Sequence, residues 1–204
     1  MTLIKRLALA VIAGLVLAAC QTTSGGVATM APNFAANFQP YHDNYQTMNN
    51  DANSGGYHNA TGATGTANYV GYYYFDDPSY TRYISDMTVD IDFDTSGVTG
   101  QISGAIKQDG KVYTGTATMA GATMGSASGG TIHFFNGATL TGSMTSGADT
   151  LSFSSTPLPH TTLYTDGTDN YLAGNNLGSG GGTISIDGAA AITPAQSGLV
   201  LTQQ

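Results

Sequence analysis

The sequence has no tryptophan, no glutamate and one cysteine in 204 residues, and lysine and arginine together number five. A single thiol excludes a fold stapled by internal disulfides. Lys5 and Arg6 precede Cys20, so the chain beyond it carries three basic residues against thirteen aspartates. Neutralising phosphates requires clustered Lys and Arg, which excludes a nucleic-acid binder. Adhesion to anionic lipid headgroups is excluded for the same reason. Strong helix formers such as Glu, Lys, Arg and Gln are scarce while Gly, Thr, Ser, Asn and Asp abound, which disfavours a helical protein. No stretch after Cys20 approaches the ~18 apolar residues of a membrane-spanning helix. Leu, Ile, Val and Phe make up only about 16 per cent of the chain from Cys20 on, a composition near the disordered range. The 12 tyrosines and a periodic pattern argue for a folded domain.

The first segment reads as an address. Met1 to Arg6 carries two positive charges and Leu7 to Leu17 is an apolar run of eleven residues. That run is too short to cross a ~30 Å hydrocarbon core. A basic start, a short apolar stretch and small residues at the cleavage point make a secretory signal. Leu17-Ala18-Ala19-Cys20 matches the bacterial lipobox. The match implies cleavage before Cys20, thioether lipidation of its sulfur and acylation of the new amino group. Several acyl chains anchor stably where one does not. Gln21, a non-acidic residue after the cysteine, points to the outer membrane; cell-surface and periplasmic faces both remain open. The expected organisation is a signal peptide over 1–19, lipidated Cys20 and a tether to 65, a barrel domain over 66–175, and a Gly-rich segment with a last strand and a loose tail over 176–204.

Residues 21 to about 65 are polar, poor in aliphatics and without sustained period, which predicts a mostly disordered linker. Phe34, Phe38, Tyr41 and Tyr45 interrupt it at helical spacing. They suit a short helix or staple packing on the domain, or a peptide-recognising face.

From Ala67 the period becomes two. Met87, Val89, Ile91 and Phe93 share one face of a predicted strand, and Asp86, Thr88, Asp90 and Asp92 the other. Turn signals recur at Asp94-Thr95-Ser96-Gly97, Asp109-Gly110, Asn136-Gly137, Asp166-Gly167 and Asp187-Gly188. Short strands at this spacing predict an all-β sandwich or barrel. Gly71, Gly100, Gly104, Gly115 and Gly142 lie inside strand patterns, where they permit tight coiling. The expectation is a small antiparallel up-and-down β-barrel of about eight strands. Gly178 to Gly182 is expected to be flexible, and Thr183 to Asp187 suits a last strand; the sequence leaves Ala189 to Gln204 unplaced.

Ala67-Asn68-Tyr69-Val70-Gly71 resembles the A-x-Y-x-G opening of the barrel in transferrin-binding-protein-like surface lipoproteins. Thr88 to Phe93 followed by Val98-Thr99-Gly100-Gln101-Ile102 is similar to that family's signature hairpin, and Tyr113-Thr114-Gly115-Thr116 to its next strand. Phe134-Phe135-Asn136-Gly137-Ala138 with Gly142 resembles a shortened form of a later family segment. Ser143 and Met144 stand where the family has a second glycine and a closing Phe, and about 60 residues come after it where the family usually ends. The resemblance, over residues 66–145, implies an eight-stranded barrel used as a binding module, in some members for iron-carrying or haem-carrying proteins.

Chemistry is sparse. Asp90, Asp92 and Asp94 have the first spacing of a calcium loop, but Thr95 and Gln101 stand where Gly and Glu are needed. A solvated outer face is the plainer reading. His42, His58, His133 and His160 lack metal-ligand spacing. Neither a nucleophile elbow nor a phosphate-binding loop occurs. No enzymatic activity, metal or cofactor is expected. The densest cluster runs from Tyr72 to Tyr83. With Tyr69, Gly71, Tyr73 and Phe75 facing inward, Tyr72 and Tyr74 face out, and Tyr80, Arg82 and Tyr83 sit in or beside the following loop. Exposed Tyr and Arg favour recognition; tyrosines stacked across strands for stability are the alternative. These five residues are the candidate ligand-binding set for a protein or small-molecule ligand. The expected protein is a monomer bound to the membrane through lipid on Cys20. A structural or adhesive coat protein without a discrete site suits the polar surface equally.

Overall fold

Strand period and burial agree residue by residue along Asp86 to Asp92. Met87, Val89 and Ile91 are buried in the core while Asp86 and Asp90 are exposed. Phe93 packs partly buried against the same core. The computed structural model describes residues 63–122, 124, 133–134, 138–158, 161–165, 167–177 and 183–204, together with 36, 43, 47 and 58–59. The signal peptide, Cys20, the aromatics at 34, 38, 41 and 45, Asn136-Gly137 and Gly178 to Gly182 lie outside the described residues. Contacts divide the chain into two units, Met1–Met30 and Ala31–Gln204, and every described strand belongs to the second.

Twelve strand segments form one antiparallel sheet. They are β1 (His58–Asn59), β2 (Thr66–Asp76), β3 (Arg82–Asp92), β4 (Gly97–Lys107), β5 (Val112–Ala120) and β6 (His133–Phe134). They continue as β7 (Thr139–Ser146), β8 (Asp149–Pro157), β9 (Thr161–Thr165), β10 (Asn170–Leu177), β11 (Thr183–Ile186) and β12 (Gln196–Gln203). The hydrogen-bonded path runs β1-β9-β10-β12-β2-β3-β4-β5-β7-β8-β11, with β6 beside β9.

The path curls into a half-barrel, because β9 and β8, each one place in from an end, are neighbours along the chain. From Pro157 of β8 to Thr161 of β9 there are four Cα steps, a reach of at most ~14 Å. A flat sheet would separate those strands by more than twice that, at ~4.8 Å per strand. β6 pairs with β9 through Phe134↔Thr161, and β7 takes up with β8 at Thr139↔Pro157 in nearly the same register. β10 and β11 follow the other edge of the same pair, through Ala173↔Thr162 and Thr183↔Ser154. Within this curled half-barrel β12, the last strand in the chain, sits between β10 and β2.

The sequence leaves 189–204 unplaced and expects a loose tail. The structure corrects that expectation: Gln196–Gln203 is seated between β10 and β2, with Leu199 and Leu201 in the core. The barrel domain therefore extends past 175 to 203. Glycines sit where the wall bends. Gly104, at φ +61°, occupies the β4–β5 register shift between Ser103 and Ala105. Gly142, at φ +152°, borders the β7–β8 shift, and a Cβ there would come within 2.6 Å of Ala117 Cα. Asp109-Gly110 and Asp187-Gly188 form turns as expected, with Gly110 at φ +93°. In the β3–β4 turn the left-handed residue is Ser96, not Gly97.

The interior is filled. Tyr69, Tyr73, Met87, Ile102, Ala117, Leu140, Met144, Leu151, Leu163 and Leu172 belong to one buried cluster that lines the wall. Small barrels reach this state when side chains rather than ligand occupy the lumen.

Candidate functional site

The Tyr-rich cluster places its members by strand parity. Tyr69, Tyr73 and Phe75 of β2 point into the core as expected. Tyr72 and Tyr74 point outward and stack on one another, ring centroids 6.2 Å apart. Tyr72 is nonetheless buried at 2% exposure, and Tyr74 is half-buried. Tyr83 is inside, because β3 begins at Arg82 and its second residue faces the core. Its ring lies parallel to that of Phe75, 4.7 Å away. Phe75 also meets Phe153 edge-on at 6.0 Å, and Tyr83 meets Tyr113 at 6.2 Å. These four rings plug the barrel end beneath the β2–β3 hairpin. Burial pushes the Tyr83 hydroxyl well above the ordinary phenol range, with Tyr113, Asp77, Asp109 and Asp187 adding to the effect. The Tyr73 hydroxyl is likewise raised by burial, against a smaller lowering effect of Ser197, and no hydrogen bond to it meets the distance and angle limits among the described residues.

Tyr80 is the member left outside. It is 66% exposed at the hairpin tip and holds φ +60°, a left-handed conformation that bulky side chains rarely adopt. Asp77 fixes it there. Its Oδ1 accepts from the Ser79 and Thr81 amides at 2.8 and 3.0 Å, and its carbonyl accepts from the Tyr80 amide at 2.8 Å. Behind the tip, Arg82 Nε and Nη2 donate to the two oxygens of Asp76 at 2.7 and 2.8 Å. The Asp76 side chain is 5% exposed. The same guanidinium lies 4.5 Å over the Tyr74 ring. The five candidate residues thus occupy three settings: Tyr80 at the tip, Tyr72, Tyr74 and Arg82 on the outer wall, and Tyr83 in the core.

Sequence reading missed the electrostatics of this rim. Arg82, Lys107 and Lys111, the three basic residues after Cys20, all lie at the same end of the barrel, on alternate hairpins. Each pairs with an aspartate: Arg82 with Asp76, Lys107 with Asp109 at 2.8 Å, and Lys111 with Asp149. The Arg82 amide donates to Gln108 Oε1 and its carbonyl accepts from the Gln108 amide, tying the first two hairpins together. The signal was present in Asp77-Pro78-Ser79, an acceptor side chain two residues before an amide it can cap.

At the opposite rim the aspartate run serves the turns. Asp92 Oδ1 accepts from the Asp94 and Thr95 amides, Asp94 Oδ1 from the Gly65 amide, and Asp90 Oδ1 from Asn68 Nδ2. Hydrogen bonds from Thr95 hold the Asp92 carboxyl below the usual range. Among the described residues no cluster of three or more His, Cys or Asp is placed to hold a metal ion. No helix among them is long and apolar enough to cross a membrane.

Comparison with protein-family models, with curated proteins and with solved structures finds no match.

Proposed function

We propose that this chain is an outer-membrane lipoprotein, held by acyl chains on Cys20, whose barrel is a binding module that engages a protein partner at the Tyr80 rim. The anchor rests on the lipobox at Leu17 to Cys20. The partner class comes from the resemblance to transferrin-binding-protein-like lipoproteins: a protein that carries iron or haem. The observation that carries the reading is Tyr80, an aromatic 66% exposed and clasped by Asp77 in left-handed backbone. Such strain persists where surrounding structure holds it, and it clusters at recognition sites. A preordered aromatic also loses little entropy on contact. A filled lumen leaves the rim and outer wall as the place of contact.

Capture of iron-loaded and haem-loaded carrier proteins by the immobilised chain tests the reading. A central Tyr contributes ~2 kcal/mol or more, so Tyr80→Ala should weaken capture about 30-fold. Uniform weak adhesion, indifferent to Tyr80→Ala, would replace this reading with the coat protein. Cys20→Ser should move the chain out of the membrane fraction.

A further inference from the structure

Four residues of the outer wall are buried although they face away from the core. Tyr72 of β2 is 2% exposed, Ile84 of β3 and Val200 of β12 are 4%, and Ala173 of β10 is 7%. Alternation sends them outward: their chain neighbours Tyr73, Tyr83, Leu172, Leu199 and Leu201 belong to the core cluster, and these four do not. They are contiguous, since Ala173 pairs with Val200, Val200 with Tyr72, and Ile84 with Tyr74, which stacks on Tyr72. The cover stops sharply. Val70, two residues from Tyr72 on the same face, is 38% exposed.

The sequence before β1 has a matching periodicity. Ala36, Asp43 and Thr47 are helical and exposed. At about 100° per residue they fall on one side of a helix, and Phe34, Phe38, Tyr41 and Tyr45 fall on the opposite side. The chain from Ala31 onward belongs to the same compact unit as the barrel. It also arrives in the right place, because β1 pairs with β9, next to the β10 and β12 strands that carry the patch.

We propose that residues 34–45 dock as an amphipathic helix on the outer wall of β10, β12, β2 and β3, with their aromatic stripe over Tyr72, Ile84, Ala173 and Val200. This is the helix-in-groove mode used within one chain, with anchors at i, i+4, i+7 and i+11. It shortens the free tether to the residues between Cys20 and the helix. The proposal is independent of any ligand at Tyr80.

Thiol labelling of the mature chain carrying Cys20→Ser tests it, with single reporters Val200→Cys, Ala173→Cys, Val70→Cys and Met144→Cys. Protection scales with the opening equilibrium of the covering element. The cysteines at 200 and 173 should react at least ~10-fold more slowly than that at 70. Adding Phe38→Ala and Tyr41→Ala should bring them to the rate at 70, while the core reporter at 144 stays unreactive. Equal rates at 200 and 70 in the parent overturn the proposal. So does protection that survives the two alanines, or that falls on dilution, which would name a second copy as the cover. Exposure of the core reporter by the same alanines also overturns it, because the barrel itself would then be opening.

Discussion

Replacing Leu201 by alanine should destabilise the barrel by about 3–4 kcal/mol, within the range of core truncations. Leu201 is fully buried on β12 and pairs with Gly71 on one side and Leu172 on the other. The lost apolar groups account for roughly 2–2.5 kcal/mol at ~0.8 kcal/mol per methylene. The cavity adds to this, since Leu→Ala in well-packed cores costs ~2–5 kcal/mol according to how far the site collapses. Collapse is restricted here. Gly71 has no side chain to move in, and a Cβ there would stand 2.8 Å from Leu201 Cα. Thr202, the next residue, faces out and is half-buried. Thr202→Ala should therefore change stability by no more than ~0.5 kcal/mol. Urea unfolding followed by far-ultraviolet circular dichroism measures both. If Leu201→Ala unfolds within ~0.5 kcal/mol of the parent, the C-terminal strand is not part of the wall and the reasoning fails.

Four further outcomes are expected from the same geometry. Asp76→Asn breaks the two-pronged pair with Arg82 at a nearly buried carboxylate, and thermal unfolding should report a loss of about 2 kcal/mol, discounted for the partial exposure of Arg82. Tyr80→Gly relieves the left-handed backbone and should leave stability equal or raised by up to ~1 kcal/mol while partner capture is lost. Gly142→Val drives side-chain carbon into the Ala117 backbone and should lower stability far more than Gly147→Ala, where no atom lies within 4 Å and only the φ of +64° is strained. Burial pushes the Tyr69 hydroxyl up to about 12 and raises Tyr73, Tyr83 and Tyr113 as well. Folding favours their neutral form, so this stability is fully present below pH ~10 and is lost as pH rises from there through the folded values. Absorbance at alkaline pH should show these four tyrosines ionising at higher pH than an exposed phenol, with stability falling over the same range.

How much of the fold was legible depended on whether a strand had one wet face. β3 declared itself because Met87, Val89 and Ile91 alternate with Asp86, Thr88 and Asp90. The strand glycines marked real bends at Gly104 and Gly142. β12 was hidden. Leu199, Val200 and Leu201 form an unbroken apolar run because both faces of that strand are buried, Val200 on the outside included. In the Tyr72-Tyr73-Tyr74 run the expected parity is the one found, but the pattern does not show that the outward Tyr72 is buried. Pro78 and Ser79 signal a turn without saying where it ends, so the sequence leaves Tyr83 in or beside the loop. The loop closes at Thr81, and the first residue pair of β3 sends Arg82 out and Tyr83 in. The rim ion pair between Lys111 and Asp149 joins hairpins more than thirty residues apart, and no local pattern encodes it.

Tyr80 is held at a fixed rim only if the wall behind it is continuous from β3 through β2 to the chain's last strand. Nuclear Overhauser contacts across the β12–β2 ladder measure that continuity directly. The account predicts cross-strand contacts between Leu199 and Tyr73 and between Leu201 and Gly71, as strong as those between Tyr73 and Ser85 in the β2–β3 ladder. A well-formed β2–β3 ladder with no contact from 196–203 to β2 would contradict it.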